Sequence, residues 1–226
     1  MGCFITFEGI EGCGKTTQLD MLKRTLSHLS PLCLFTAEPG GTPLGVEIRK
    51  ILLSSSSLAI SGQAELFLFS AARFQHMQDV IIPALDVGGI VFCDRFTDAT
   101  IAYQGYGRKI GLSFIEAINS FATLGRKPDL TILFDVPPEV SLNRAITRIS
   151  RKSKKQPAED RFEREDLAFH QAVRDGYLML AKKDPQRIRI VNADRTIEAI
   201  HHEVIDILKP FLDRTRLETH GDQESS

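Results

Sequence analysis

The chain has 226 residues, a length that suits one α/β domain with a real core. Hydrophobic residues make up 42% and charged residues 25%, and the formal net charge is −1. That balance gives no general attraction to nucleic acid or to an acidic membrane, so any anion binding must come from local clusters. Cys3, Cys13, Cys33 and Cys93 are scattered, with neither a CxxC pair nor a His at ligand spacing, as expected of a reduced, cytoplasmic chain. The N-terminal residues lack a signal-peptide pattern, and no apolar run reaches membrane-spanning length. Met1-Gly2-Cys3 is only a faint match to a lipidation start, because Phe4 and Ile5 read better as strand.

Short apolar runs alternate with helical periodicity. Cys3 to Phe7 predicts a buried strand that ends at Glu8-Gly9. Leu19, Met21, Leu22, Leu26 and Leu29 predict a helix over 16–29, stopped by Pro31. Leu32 to Thr36 reads as a second strand and Glu38-Pro-Gly-Gly-Thr-Pro43 as a loop, with a helix over Leu44 to Leu53. A long helix is expected from about Gln63 towards Ala84. Further strands are expected over Ile90 to Cys93, Leu130 to Val136 and Arg187 to Val191. Helical segments separate them, including Phe162 to Lys182 and Thr196 to Leu212. Five short apolar strands with intervening helices imply a parallel sheet covered on both faces, with right-handed crossovers. A single domain is expected over 1–214, followed by a disordered tail at 215–226. Arg148, Arg151, Lys152, Lys154 and Lys155 crowd a stretch without apolar periodicity, which reads as an exposed, mobile loop with a task.

Gly9-Ile-Glu-Gly-Cys-Gly-Lys15-Thr16 satisfies GxxxxGK[ST] between a predicted strand and a predicted helix. Glycines let the main chain wrap an anion, with successive N–H groups pointing inward and a helix N-terminus behind them. Lys15 suits the β- and γ-phosphates of a nucleotide, and the Thr16 hydroxyl suits Mg²⁺. Asp94 ends the third strand at the same edge of the sheet, where a carboxylate can orient the waters of Mg²⁺. The neighbouring Arg95 suits an anionic ligand. Such a cradle serves switches, motors and kinases alike. The N/T-K-x-D segment of guanine switches is not found.

Phe7-Glu-Gly-Ile-Glu-Gly-Cys-Gly-Lys-Thr-Thr-Gln18, Glu38-Pro-Gly-Gly-Thr-Pro43, Asp94-Arg95, Ala102-Tyr-Gln-Gly105 and Asp160-Arg-Phe-Glu163 together resemble the bacterial thymidylate kinase family. The motifs keep the family's order from residue 4 to about 195. The resemblance implies a P-loop NTPase fold with a five-stranded parallel sheet and a mobile lid at about 144–160. It implies ATP and Mg²⁺, dTMP as the acceptor in dTTP synthesis, and a homodimer formed through helices, with no nucleic-acid or membrane partner. The nucleotide cradle would run from Gly9, Ile10, Glu11, Gly12, Cys13 and Gly14 through Lys15, Thr16 and Thr17. Phe69 resembles the ring that stacks on thymine, although Leu66, Phe67 and Phe69 also fit a plain core. Arg73, one helical turn later, resembles the reader of the thymine carbonyl. Glu11 resembles the acceptor for the sugar 3′-hydroxyl. Tyr103 and Gln104 would pack under the sugar and base, with Tyr103 rejecting a 2′-hydroxyl. Glu38, Pro39, Arg49 and Thr100 complete the acceptor contacts, and Arg95 would grip its phosphate.

No base lies among the variable cradle positions, so the resemblance is to the lid-basic type. Arg144, Arg148 and Arg151 are the candidate catalytic cations, alongside Lys15 and Arg95, with Arg151 as the mobile finger. One departure stands out. The family's Thr-Arg-Glu-Pro-Gly-Gly places an acceptor-phosphate Arg where this chain has Ala37; Arg49, Arg73 or a lid residue are the candidates to replace it. Another pyrimidine nucleoside monophosphate remains the alternative acceptor, since a thymine methyl offers only a small contact.

Overall fold

The structure, a computed structural model, describes residues 2–54, 59–151 and 161–221, with the backbone alone at 30–32, 148–151 and 214–221. Five parallel strands form one sheet: β1 (Cys3–Glu8), β2 (Cys33–Ala37), β3 (Ile90–Asp94), β4 (Leu130–Asp135) and β5 (Ile188–Asn192), in the order β2-β3-β1-β4-β5. The pleat sorts β1 between two cores. Cys3, Ile5 and Phe7 face one apolar cluster, and Phe4 faces the other. Ile90 and Phe92 of β3 alternate in the same way with Val91 and Cys93. Both faces are therefore covered, which is why these strands read as unbroken apolar runs. With β1 paired to β3 on one side and β4 on the other, its C-terminal end opens at the middle of the sheet edge.

The helices are α1 (Lys15–Thr25), α2 (Pro43–Leu53), α3 (Gly62–His76), α4 (Ile82–Asp86), α5 (Thr97–Thr100), α6 (Leu112–Ala122), α7 (Pro138–Arg151), α8 (Leu167–Lys183) and α9 (Ile197–Gly221). Thr42 caps α2 by accepting from the Gly45 N–H at 3.0 Å, with Pro43 in its first turn. Asp166 caps α8 by accepting from the Phe169 N–H at 2.7 Å.

Several boundaries differ from expectation. The first helix stops at Thr25 and passes into a 3₁₀ turn over Ser27–Leu32. The last predicted helix before β5 starts at Leu167 rather than Phe162, because Asp166 starts a new cap. The expected tail is helical as far as Gly221. The long helix after Ser61 carries a π-helical turn at Met77–Ile81, and a second such turn, Ile101–Gly107, follows α5. Most of the expected lid loop lies outside the described residues; its first part belongs to α7.

One ion pair ties the layers together. Arg187, just before β5, donates to both oxygens of buried Asp98 at 2.6 and 3.0 Å, and to Thr131 Oγ1 of β4 at 2.8 Å. Asp184 takes its Nε–H at 2.8 Å. Removing one partner of such a pair leaves a buried, uncompensated charge. Arg187→Met is therefore expected to cost about 3–5 kcal/mol in chemical denaturation, and adding Asp98→Leu should recover most of the loss.

Candidate active site

Between β1 and α1 the main chain turns back on itself. Gly9, Gly12 and Gly14 have φ of 140°, 75° and 96°. A Cβ on Gly12 would collide with the Ser141 carbonyl, whereas a Cβ on Gly14 would meet nothing within 4 Å, because that residue faces the open cleft. Gly14 also stands at the start of α1, so its neighbourhood combines free amides with the positive end of a helix. Lys15 lies across the loop, donating to the Gly9 carbonyl at 2.9 Å, with Cys13 Sγ at 3.5 Å. Ser141 of α7 donates to the Glu11 carbonyl, which fastens the loop from outside.

A single cleft of about 820 Å³ collects nearly every candidate residue. Glu11, Gly12, Cys13, Gly14, Lys15, Thr16 and Thr17 form one wall. Ala37, Glu38, Pro39, Arg49, Phe69, Arg73, Arg95, Thr100, Tyr103 and Gln104 face it. Gly9 and Ile10 stand behind the loop, and Ile10 is part of the core. Arg144 reaches the cleft, but its guanidinium is held by the Ala193 carbonyl at 2.9 Å and by Asp194 at 2.8 Å. It would have to leave those partners to act in catalysis. The side chains of Arg148 and Arg151 lie outside the described residues.

Arg95 is the centre of a partly buried network. Its backbone is left-handed, with φ of 70°, and its N–H donates to the Phe7 carbonyl at 2.9 Å. The guanidinium stacks over the Tyr103 ring at 4.8 Å. It donates to Glu11 Oε1 at 2.7 Å and to the hydroxyls of Tyr103 and Tyr177 at 3.0 and 3.1 Å. Tyr103 in turn donates to Glu11 Oε1 at 2.5 Å. Burial alone would raise the Glu11 carboxyl, but Arg95, the Tyr103 hydroxyl, Lys15 and His170 outweigh it and hold the group below its ordinary value. His170, fully buried on α8, places Nδ1 3.5 Å from Glu11 Oε2. That oxygen and both ring nitrogens find no hydrogen-bond partner among the described residues.

Glu8, at the end of β1, is also buried. It accepts from the Phe96 and Ala99 N–H groups at 2.7 and 3.3 Å and from the Tyr177 hydroxyl at 2.8 Å. Desolvation, reinforced by Asp98, pushes its carboxyl up to about 7 against the opposing pull of Arg95.

The wall opposite the loop is rigid. Arg73 is 1% exposed. Its donors reach Glu38 Oε2 at 2.7 Å, Asn119 Oδ1 at 2.8 Å, Thr100 Oγ1 at 2.9 Å and the Phe96 carbonyl at 3.0 Å. Of five guanidinium protons, one on Nη2 remains for a ligand. Glu38 precedes a cis peptide bond to Pro39, and its other oxygen sits 3.1 Å from His76 Nδ1. Phe69 is half-buried beside Phe162 at 6.3 Å between centroids, and Phe162 meets the Tyr103 ring edge-on at 5.4 Å. Arg49 donates to the Pro39 carbonyl at 3.1 Å and lines the same cleft as Ala37.

Asp94 lines the cleft, and its Oδ1 is buried without a hydrogen-bond partner. An orphaned carboxylate oxygen on the wall shared with Thr16 suits a hard cation that also binds phosphates. Among the described residues no cluster of three or more His, Cys, Asp or Glu could hold a metal alone.

Sequence reasoning missed Tyr177 and His170, whose seven-residue spacing on α8 puts them on one face. It also gave no role to Phe162, which lines the cleft beside Phe69 and Tyr103, or to Ala193, Arg195, Ile197 and Ile200, which line it near the β5–α9 junction. The position of the β5–α9 junction at the carboxyl edge of the sheet was the available signal.

A phosphate cradle after β1, a second pocket across the same cleft and arginines between them define a P-loop kinase of small phosphorylated substrates. The thymidylate kinase family model matches residues 7–204. A thymidylate kinase of Geobacter sp. strain M21 is 54% identical over 198 residues, covering 88% of this chain and 87% of that one. One from Geotalea daltonii is 53% identical over 209 residues, covering 91% and 97%. The crystal structure of thymidylate kinase from Ehrlichia chaffeensis superposes with a TM-score of 0.71 at 36% identity, covering 92% of this chain and 98% of that one. The chain belongs to the thymidylate kinase family and is an enzyme.

Glu8 yields a pH test. A carboxyl whose folded value lies above its ordinary value near 4.5 favours folding below that ordinary value, and this contribution is lost as pH rises through about 7. Wild-type stability should therefore fall between pH 5 and 8, by an amount of the order of 3 kcal/mol from this group. Glu8→Gln, which keeps an acceptor for the two N–H groups, should flatten that slope in denaturant titrations at the two pH values.

Proposed function

We propose that the chain transfers the γ-phosphoryl group of ATP to dTMP, yielding ADP and dTDP for dTTP and DNA precursor synthesis. The observation that carries this reading is one cleft with two differently built halves, a main-chain phosphate cradle facing a pocket of Phe69, Arg73 and Arg95. Its volume lies within the range of small-ligand sites. Membership of the thymidylate kinase family selects the acceptor.

Lys15 would exchange the Gly9 carbonyl for the β- and γ-phosphate oxygens. Thr16 and Asp94 would hold Mg²⁺, which supplies neutralising charge on the transferring phosphates. Across the cleft, Phe69 would offer its ring to the base and Arg73 its last N–H to a base carbonyl. Glu11 would accept from the sugar 3′-hydroxyl, with the Tyr103 ring against the sugar. Arg95 would orient the acceptor phosphate, aided by Arg49 in place of the missing arginine at Ala37. That phosphate is already anionic at neutral pH, so alignment and charge stabilisation do the work without a strong base. Arg148 and Arg151 remain the lid cations of this proposal.

A cytoplasmic setting is also proposed. No helix among the described residues is long and apolar enough to cross a membrane. A homodimer through α3 and α6 is supported by exposed, mutually packed aromatics. Phe67 meets Phe114 edge-on at 6.4 Å and Phe74 stacks on Phe121 at 5.8 Å, while Phe121 is 75% exposed.

In a coupled ADP-release assay, Lys15→Ala should abolish dTMP-dependent turnover with the fold intact by circular dichroism. Arg95→Ala should raise the KM for dTMP and lower kcat. Wild-type ADP release no faster with dTMP than without it would refute the activity. Sedimentation velocity should show a dimer, and Phe114→Asp with Phe121→Asp should shift it to monomer; a wild-type monomer would refute that interface.

A further inference from the structure

Glu65 of α3 is 0% exposed and stands behind the acceptor wall rather than in it. Its Oε1 accepts from Gln104 Nε2 at 2.7 Å and from Arg108 Nε at 3.4 Å. Its Oε2 accepts from Arg161 Nη2 at 2.6 Å and from Arg108 Nη2 at 3.3 Å. Arg161 is pinned in turn to the Leu52 carbonyl at 3.1 Å, and Arg108 to Glu165 at 2.7 Å. The carboxylate therefore cannot rotate away from Gln104.

A carboxylate between two guanidiniums offers only acceptors. The side-chain amide of Gln104 must turn its NH₂ towards Glu65, and its carbonyl is left to the cleft that Gln104 lines. Beside it, Arg73 has only a donor left. The wall thus presents one donor and one acceptor to a base edge. Thymine and uracil offer the complement, a carbonyl at position 4 and an N3–H. Cytosine offers the opposite, an amino group at position 4 and an unprotonated N3. We propose that Glu65 is a specificity-determining positioning residue that fixes the Gln104 amide so that the acceptor site takes pyrimidines bearing N3–H and rejects cytosine. The inference rests on reading this half of the cleft as the acceptor site.

Glu65→Gln tests it. The two guanidiniums will claim the oxygen of the substituted amide, so its NH₂ must face Gln104, which then flips and shows its own NH₂ to the base. The ratio of kcat/KM for dTMP over dCMP should fall by at least about tenfold. Arg108→Gln thins the same cluster but leaves the Glu65–Gln104 bond, and should keep that ratio within about threefold while lowering both rates. A ratio unchanged in Glu65→Gln, or lost equally in Arg108→Gln, overturns the inference and leaves the kinase reading standing. Should Glu65→Gln not fold, calorimetry on the wild type decides. N3-methyl-dTMP, which lacks the donor, should bind at least about a hundredfold more weakly than dTMP, and binding within threefold overturns the inference. A wild type that bound no nucleoside monophosphate would overturn the acceptor reading and this inference together.

Discussion

The cleft depends on keeping a guanidinium charged while most of it is withdrawn from water. Burial works against the Arg95 cation, but Tyr103, Tyr177, Glu11 and Glu8 outweigh it and push its value well above the ordinary one. Each compensating group comes from a different part of the chain: Glu8 and Glu11 flank the start of the loop, Tyr103 lies in the π-helical turn after α5, and Tyr177 is on α8. One cation thus fixes the relative position of β1, the cradle and two helical segments. The left-handed backbone at Arg95, strained by the order of 1–3 kcal/mol, is stabilised by the same contacts.

That arrangement has an electrostatic corollary. A site meant for two phosphate groups cannot carry two fully ionised carboxylates without repelling its guests. The two acids next to Arg95 are split. Glu11 is held ionised by its neighbours, and burial brings Glu8 to the edge of protonation at neutral pH. If a phosphate engaged Arg95, as proposed, Glu11 would lose its strongest partner and need a new donor. A sugar hydroxyl in the same cleft would be of the right kind, so on the proposed reading the acceptor's two ends would be read by one coupled exchange.

Much of this was legible in the sequence, for identifiable reasons. The strands showed because both their faces are buried, and the cradle because glycine is required where φ is positive. Phe69 and Arg73 came from the family resemblance, and helical spacing added only that they share one side of α3. The rest depended on information that periodicity does not hold. Tyr177 and Glu8 are separated by 169 positions. Their hydrogen bond is a property of the sheet order, not of either segment. The apolar pattern of α9 ends at Leu212, yet the backbone continues as helix to Gly221, where no apolar pattern marks it. Phe162 looked like the start of a helix and instead lines the cleft beside Phe69 and Tyr103, because the Asp166 cap begins α8 five residues later.

Two kinds of arginine pairing occur in and just behind the cleft, and the contrast says how the site would act. Arg73, Arg108 and Arg161 are bound to Glu38 and Glu65, carboxylates that are themselves 4% and 0% exposed. Breaking such pairs strands a buried charge, so these side chains stay in place whether or not a ligand is present. Arg144 pairs instead with Asp194 at the rim, both more than 40% exposed. A pair of that kind is worth roughly 0–1 kcal/mol, so an arriving phosphate competes with it easily. On the proposed reading, hydrogen-bond polarity would therefore be read by a fixed Arg73, with the Glu65 cluster behind the wall, while charge on the moving phosphoryl group would be met by a guanidinium that can exchange partners.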